Sequence, residues 1–175
     1  DIALWKFEYE DCIEYADRII QSELYELVPG GKWFTIFSDG NTLEGIFEIQ
    51  YSSRENQPNN MYDVTSRNSN NFLASNHATD ILSFDLTRES IRGPGSFRQT
   101  GEALIWKYIG SKPDAFSFRS GQNQGSCNWI VYRLADILLM KAEALSQLEN
   151  FDEAQRIVNK IRTRAFVPPV DIQET

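Results

Sequence analysis

The feature that most constrains the fold is a pair of amphipathic segments within residues 131–166. In the first segment, apolar residues recur at spacings of three and four between Leu134 and Leu148, and Asn150 then interrupts the run. The second segment repeats this spacing at Ala154, Ile157, Val158 and Ile161. Such periodicity predicts two α-helices joined by a short turn, an αα-hairpin, with Asp152 as the N-cap of its second helix.

A comparable helix is predicted near the start of the chain, over residues 8–21. Its charged residues occupy the opposite face, and we expect it to end near Ser22. Its apolar face contains Tyr9, Cys12, Ile13, Ala16, Ile19 and Ile20. Residues 1–5 predict the end of a preceding helix.

The two ends of the chain share a pattern of an aromatic residue followed three positions later by a small one. Tyr9-x-x-Cys12 matches Phe151-x-x-Ala154. Tetratricopeptide hairpins use this pattern, because the small residue lets the paired helix approach closely. Hairpins of this kind bury their apolar faces by stacking on neighbours. We therefore expect a mainly α fold of tetratricopeptide-like hairpins.

The middle of the chain has a different character. The β-branched and aromatic residues 45–51 predict a strand, and residues 104–109 predict a second. Residues 52–80 contain seven Asn and follow neither the helical nor the strand period, so they predict a long loop. Residues 81–128 predict extended pieces separated by Gly/Pro breaks such as Gly93-Pro94-Gly95.

These patterns divide the chain into three parts of one unit. Residues 1–22 are a helical-hairpin remnant, residues 23–130 a long irregular and partly extended insertion, and residues 131–166 the C-terminal αα-hairpin. Residues 1–5 resemble a helix end, and neither an initiator Met nor a signal peptide precedes them. We therefore expect an internal piece of a longer protein. Whether the 175 residues fold alone and in what oligomeric state stays open.

Composition excludes several classes of function. The chain has 17 Lys+Arg against 25 Asp+Glu and a formal net charge of −8, which disfavours nucleic-acid binding. Cys12 and Cys127 form no CxxC motif, so no zinc ribbon or thioredoxin-type site is predicted. We expect both to act as small apolar residues, although a disulfide between them stays open. No apolar run reaches the ~18 residues that a membrane span needs.

No catalytic, cofactor or metal site is predicted. There is no G-x-S-x-G motif, and His77 lies alone in the Asn-rich segment. Residues 39–44 lack the spacing of a calcium loop and predict a turn. Two acids of the first C-terminal helix, Asp136 and Glu143, are expected to pair with Arg162 or Arg164 as structural links.

The C-terminal segment is similar to a signature of the SusD/RagB family of bacterial glycan-binding outer-membrane lipoproteins. The strongest likeness is residues 132–144, YRLADILLMKAEA, followed by Ala154, Asn159, Arg162, Arg164 and Ala165. Trp33-x-x-Ile36-Phe37, residues 44–51, Asp85-x-x-Arg88 and Lys107-Tyr108 resemble further family segments in the same order. The family's N-terminal lipobox and first helical repeats are absent from this sequence, as is its later C-terminal segment.

The resemblance implies a non-catalytic protein that binds an oligosaccharide, or another nutrient, at the outer-membrane surface. It also implies delivery to a SusC-like TonB-dependent transporter, with membrane association only through a lipid anchor that is absent from this chain. No cofactor and no nucleic acid would be involved. The alternative is a helical-repeat module that binds a protein in a groove between helices and binds no sugar.

Residues 51–77, which we call the ligand segment, have the composition expected of a sugar-binding surface. Sugar rings stack on aromatic side chains while amides, carboxylates and guanidinium groups bond their hydroxyls. Polar surface loops with aromatics buried beneath them have the same composition, so each residue alone is a weak candidate. The candidate ligand-binding residues are Tyr51, Arg54, Asn60, Tyr62, Arg67, Asn71 and Phe72.

Overall fold

The computed structural model describes residues 1–66, 72–83, 91–96 and 103–169, and this part of the chain is mainly helical. Two strands, β1 (Gly45–Ile49) and β2 (Trp129–Arg133), form an antiparallel pair. The α-helices, in chain order, are α1 (Ile2–Trp5), α2 (Tyr9–Gln21), α3 (Thr35–Ser38), α4 (Met61–Thr65), α5 (Asn76–Ser83), α6 (Arg92–Ser96), α7 (Trp106–Ile109), α8 (Leu134–Gln147) and α9 (Phe151–Arg164).

Helices α2, α8 and α9 pack side by side and form what we call the helical layer, with α8 in the middle. Small residues lie where the helices approach. Ala144 is fully buried on α8 against Cys12 of α2, and Ala154 of α9 packs on Leu145 of α8. The predicted αα-hairpin and tetratricopeptide-like packing are therefore confirmed.

One lysine ties the helical layer together. Lys141 of α8 places its Nζ 2.7 Å from Asp17 Oδ1 of α2 and 3.0 Å from Glu153 Oε1 of α9. Burial opposes its charge, but the bonds to the two carboxylates raise the pKa of Lys141. The ammonium therefore stays charged and links three helices.

A buried carboxylate joins the helical layer to the segment before β1. Glu44 is fully buried, and its Oε2 accepts from the Val28 amide at 2.9 Å. Arg164 Nη1 lies 2.8 Å from Oε2, and Arg133 Nη1 lies 3.3 Å from Oε1. One acid from the insertion thus meets two arginines from the C-terminal hairpin.

The insertion has its own hydrophobic centre, which we call the central core. Two tryptophans dominate it, Trp33 at 3% exposure and Trp106 at 0%. Ile130 of β2 packs against this cluster, so the strand pair connects it to the helical layer. Its other buried members are Val28, Phe34, Ile36, Leu104 and Ile109.

Several local predictions are wrong, all in or beside the insertion. Residues 104–109 are not a strand, because α7 begins at Trp106. Gly93-Pro94-Gly95 lies within α6 rather than breaking the chain, and the loop predicted over 52–80 contains α4 and α5. These helices have four to eight residues, too short for a clear 3.6-residue period.

The C-terminal hairpin differs from the prediction at its ends. Residues 131–133 belong to β2 because they pair with β1. The N-cap of α9 is Asn150, and Asp152 lies in the first turn. Asp136 pairs with Arg133 at 3.4 Å, not with either predicted arginine. Both cysteines are free and buried, as expected of small apolar residues.

Candidate functional site

The ligand segment meets residues 118–128 along one edge of the central core, and main-chain groups fix the junction. Asn59 is buried, and its Nδ2 donates to the Cys127 carbonyl at 2.7 Å. The backbone N–H of Asn59 donates to the Gly125 carbonyl at 2.7 Å. Its side-chain Oδ1 accepts a hydrogen bond from the backbone N–H of Met61. These bonds set the start of α4 and hold the ligand segment in place.

The structure places the candidate residues in different environments. Arg54 and Asn60 are exposed, and Phe72 is 58% exposed. Tyr51 is half-buried, with its amide donating to Asn128 Oδ1 at 3.3 Å. The two remaining candidates, Arg67 and Asn71, lie outside the described residues.

Tyr62 belongs partly to the central core. Its ring is half-buried against the core cluster, and its Oη donates to the Arg119 carbonyl at 3.3 Å. Gln124 Nε2 lies 3.5 Å from the same hydroxyl. Because the ring and the hydroxyl are both engaged by the protein, this geometry favours a structural role for Tyr62.

Next to this junction lies an open depression of about 430 Å³, which we call the polar cleft. It forms where the end of α3 faces the loops on either side of Phe118. Its size falls within the range typical of small-molecule sites. Its lining includes Asp39, Phe118, Arg119, Ser120, Asn123 and Ser126.

Arg119 is the structural centre of the polar cleft. Its side chain is buried, and its Nη2 donates to the carbonyls of Phe37 and Ser38 at the end of α3. Its amide donates to the Ile109 carbonyl at 2.7 Å. Among the described residues Arg119 has no carboxylate partner. The guanidinium therefore carries a buried positive charge while it holds Asp39, the next residue, at the rim.

Several polar groups of the polar cleft make no side-chain hydrogen bond within residues 1–66, 72–83, 91–96 and 103–169. They are the Ser120 hydroxyl, the Asn123 amide and Asp39 Oδ2, whereas Asp39 Oδ1 accepts from the Ser38 hydroxyl at 2.7 Å. All three residues are exposed. They present donors and acceptors to whatever occupies the cleft.

An aromatic ring supplies the apolar part of the cleft. Phe118 is 37% exposed and packs edge-on against Trp106, with ring centroids 5.0 Å apart. Because Trp106 is fixed in the central core, the Phe118 ring is held rigidly. The cleft was not predicted from the sequence. The available signal was the Ser- and Gly-rich run 117–126 around a single ring, which resembles an ordinary loop.

A second, apolar cavity of about 470 Å³ lies between the helical layer and the strand pair. Its lining includes Ala3, Cys12, Ile19, Ile46 and Met140. Close by, at the N-terminal end, Trp5 is 79% exposed and Phe7 75% exposed. The alternative prediction expected a groove between helices, whereas this cavity is also lined by Ile46 and Tyr132 of the strand pair.

The described residues contain no arrangement typical of catalysis. His77 lies exposed in α5. Within the described part of the chain, no three His, Cys, Asp or Glu side chains are grouped as a metal site. Among these residues, no helix combines the length and apolar character needed to cross a bilayer.

Part of the chain matches a known family in sequence. Residues 93–175 match the model of the SusD family. No match was found among curated protein sequences. The family model thus covers the C-terminal helices and part of the polar cleft.

Solved structures match nearly the whole chain. A SusD superfamily protein from Bacteroides vulgatus aligns with a TM-score of 0.76 at 18% identity, over 94% of this chain and 38% of its own. A SusD-like carbohydrate binding protein from the same species aligns at 0.70 and 17%, over 98% and 36%. Surface glycan-binding protein A from Bacteroides thetaiotaomicron, in complex with laminarihexaose, aligns at 0.54 and 17%, over 97% and 46%.

The chain spans less than half the length of these solved structures. The fold of its described residues is that of SusD-like proteins, and the sequence resemblance is confirmed over residues 93–175. The family likeness therefore rests on the sequence of residues 93–175 and on the fold of the described residues.

Proposed function

We propose that this chain, similar to the SusD family over residues 93–175, is part of a non-catalytic protein that captures an oligosaccharide at the bacterial outer-membrane surface. Binding would occur on the face where the ligand segment meets residues 111–126. The captured ligand would pass to a SusC-like TonB-dependent transporter. The protein would reach the membrane surface through a lipid anchor outside this chain.

The observation that carries the proposal is the family match combined with the chemistry of this face. Arg54, Asn60 and Phe72 are exposed on the ligand segment, and the polar cleft adds hydroxyl, amide and carboxylate groups. Sugars need this combination, because their hydroxyls form hydrogen bonds while their C–H faces contact rings. The structural likeness to a glycan-binding protein solved with laminarihexaose supports the same conclusion.

We also propose that the protein binds its ligand without chemical turnover. The single His of the sequence lies exposed in α5. Binding without turnover is consistent with an open face, since shallow aromatic and polar contacts each contribute modestly and affinity grows with the number of sugar units.

Isothermal titration with a panel of oligosaccharides tests the proposal. Tyr51→Ala is expected to weaken binding without unfolding the protein, because Tyr51 is half-buried. Tyr62→Ala is a poorer probe, since it also removes core packing and the bond to Arg119. Asp11→Ala, an exposed change on α2, is the matched control. Failure of the unmodified protein to bind any oligosaccharide would refute glycan capture.

The second candidate function is a protein-binding helical module. The apolar cavity between the helical layer and the strand pair favours it, as do the exposed Trp5 and Phe7 nearby. A pull-down from outer-membrane extract separates the two functions when it is run with and without competing oligosaccharide. The exposed Tyr15 lines this cavity, so retention of one defined protein by the unmodified chain, lost in Tyr15→Ala, would favour this candidate.

A further inference from the structure

We propose that the polar cleft is a subsite for one neutral, hydroxyl-rich sugar unit of a longer oligosaccharide. The inference rests on the proposed glycan-binding function and specifies where one unit binds and what charge it carries. Three observations support it: the charges of the cleft, its open polar groups, and its rigidly held ring.

The charges that line the cleft select a neutral ligand. Asp39 is exposed at the rim, and Arg119 lies buried beneath it. An anionic sugar would approach the Asp39 carboxylate on a chain of net charge −8, which disfavours it. A cationic ligand would approach the Arg119 guanidinium, which has no carboxylate partner among the described residues. With one carboxylate and one guanidinium, the cleft lining itself carries no net charge, which suits an uncharged polar ligand.

The open polar groups favour a ligand with several hydroxyls. Asp39 Oδ2 can accept hydrogen bonds only, the Asn123 amide can donate and accept, and the Ser120 hydroxyl can do both. Adjacent hydroxyls of a pyranose ring can each donate and accept, which matches this mixture of groups. A ligand with one polar group would leave most of these protein groups unused.

The ring of Phe118 completes the subsite. It is partly exposed at the cleft and fixed against Trp106, so it offers an apolar patch at a small cost in side-chain entropy. The C–H face of a sugar ring is the complementary surface.

The shape of the cleft indicates a unit within a longer chain. Asp39, Ser120 and Asn123 are all exposed, so a ligand bound here stays partly in solvent. An oligosaccharide can extend from the cleft towards Arg54 and Asn60, since the Tyr62–Arg119 bond joins the two regions. An isolated monosaccharide would gain little from so open a site.

Arg119 acts in this subsite as a positioning residue. Its bonds to the carbonyls of Phe37 and Ser38 fix the end of α3, and thereby the main chain that carries Asp39. Replacing it would disturb the fold as well as the cleft. The test therefore uses the exposed cleft residues instead.

The experiment measures affinity by isothermal titration of the purified protein. The probes are neutral hexasaccharides, laminarihexaose and maltohexaose among them, and the acidic hexagalacturonate. We expect a neutral probe to bind more tightly than hexagalacturonate. We expect Asp39→Ala and Phe118→Ala each to weaken binding of the neutral probe at least tenfold. Asn123→Ala should also weaken binding of that probe, by a smaller factor. Asp11→Ala is the control, and thermal melting verifies folding.

The remaining outcomes distinguish the subsite from the function. Neutral binding that is unchanged in Asp39→Ala, Phe118→Ala and Asn123→Ala would overturn the subsite and leave glycan capture intact. Tighter binding of hexagalacturonate would overturn the neutral class alone. Absence of binding to every probe would overturn the proposed function and the subsite with it. If Phe118→Ala fails to fold, Asp39→Asn is measured in its place. Hexagalacturonate should bind to Asp39→Asn more tightly than it binds to the unmodified protein.

Discussion

The helical layer and the central core bury charge in opposite ways. In the helical layer, buried cations meet carboxylates: Lys141 lies between two acids, and Arg164 contacts Glu44. In the central core, Lys107 lies over aromatic rings and Arg119 bonds main-chain carbonyls. Helices present side chains at regular intervals, so acids and bases can be matched between them, whereas an irregular region satisfies its cations with rings and backbone.

This difference predicts that the largest loss of stability follows from removing the Glu44 carboxylate, which Arg133 and Arg164 share. Glu44→Ala leaves Arg164, whose side chain is 8% exposed, without an acid among the described residues. Breaking a buried pair by deleting one partner costs about 3–5 kcal/mol. Urea denaturation followed by circular dichroism measures the free energy of unfolding. Glu14→Ala, which removes an exposed pair with Arg18, should cost at most about 1 kcal/mol. Equal effects of the two changes would contradict the comparison.

A smaller loss of stability is expected where the Asn59 side chain bonds to main-chain groups at the junction between the ligand segment and the central core. Asn59→Ala removes the donor to Cys127 and the acceptor for Met61 at a buried site, which should cost about 2 kcal/mol. Asn60→Ala, an exposed change in the next residue, should stay within about 0.5 kcal/mol. The same denaturation measurement compares them. An Asn59→Ala protein as stable as the unmodified one would mean that the side-chain bonds of Asn59 contribute little to the junction.

Lys107 should give the smallest effect and the opposite sign. Its ammonium lies 4.9 Å from the Phe37 ring centroid and 5.6 Å from that of Trp33. Burial, followed by repulsion from Arg133 and Arg92, lowers the pKa of Lys107 to about 8. At neutral pH the Lys107 side chain is charged, and its burial carries a desolvation cost. Lys107→Met removes this cost but also removes the cation–π attraction, which offsets part of the gain in stability. We expect Lys107→Met to raise stability at pH 7 by about 1 kcal/mol.

The difference in stability between Lys107→Met and the unmodified protein should change with pH in a defined direction. Between the folded pKa of about 8 and the unfolded value near 10.5, the unfolded chain holds more protons at Lys107. The stability that Lys107 contributes therefore rises with pH across this window. The advantage of Lys107→Met should shrink from pH 7 to pH 9.5, while Lys112→Met, an exposed change, should show no such trend. A constant advantage would show that the lysine is not desolvated.

The difference between the regular helical layer and the irregular central core also explains which elements could be predicted from the sequence. Helices α2, α8 and α9 have 13 or 14 residues, so periodicity alone identified them. Strand β1 was identified by its branched and aromatic residues. Helix α7 has four residues, and its conformation depends on burying Trp106 in the central core. Such tertiary effects leave no periodic trace in the sequence.

The candidate site was predictable only in part, for a related reason. The composition of the ligand segment indicated a polar surface with aromatics, but could not separate Tyr62, which packs on the core, from exposed Arg54 and Asn60. The polar cleft joins Asp39 to Phe118 through the bonds of Arg119 to residues 81 and 82 positions earlier. A contact over that separation needs the assembled fold.

The position of Glu44 has a consequence for synthesis on the ribosome. Its arginine partners follow it by 89 and 120 residues. At typical elongation rates, the nascent carboxylate waits on the order of ten seconds for the second of them. Until then it stays hydrated, and the segment that contains Val28 cannot be buried without also burying an unpaired charge. The insertion should therefore remain accessible to chaperones and proteases until Arg164 has left the exit tunnel.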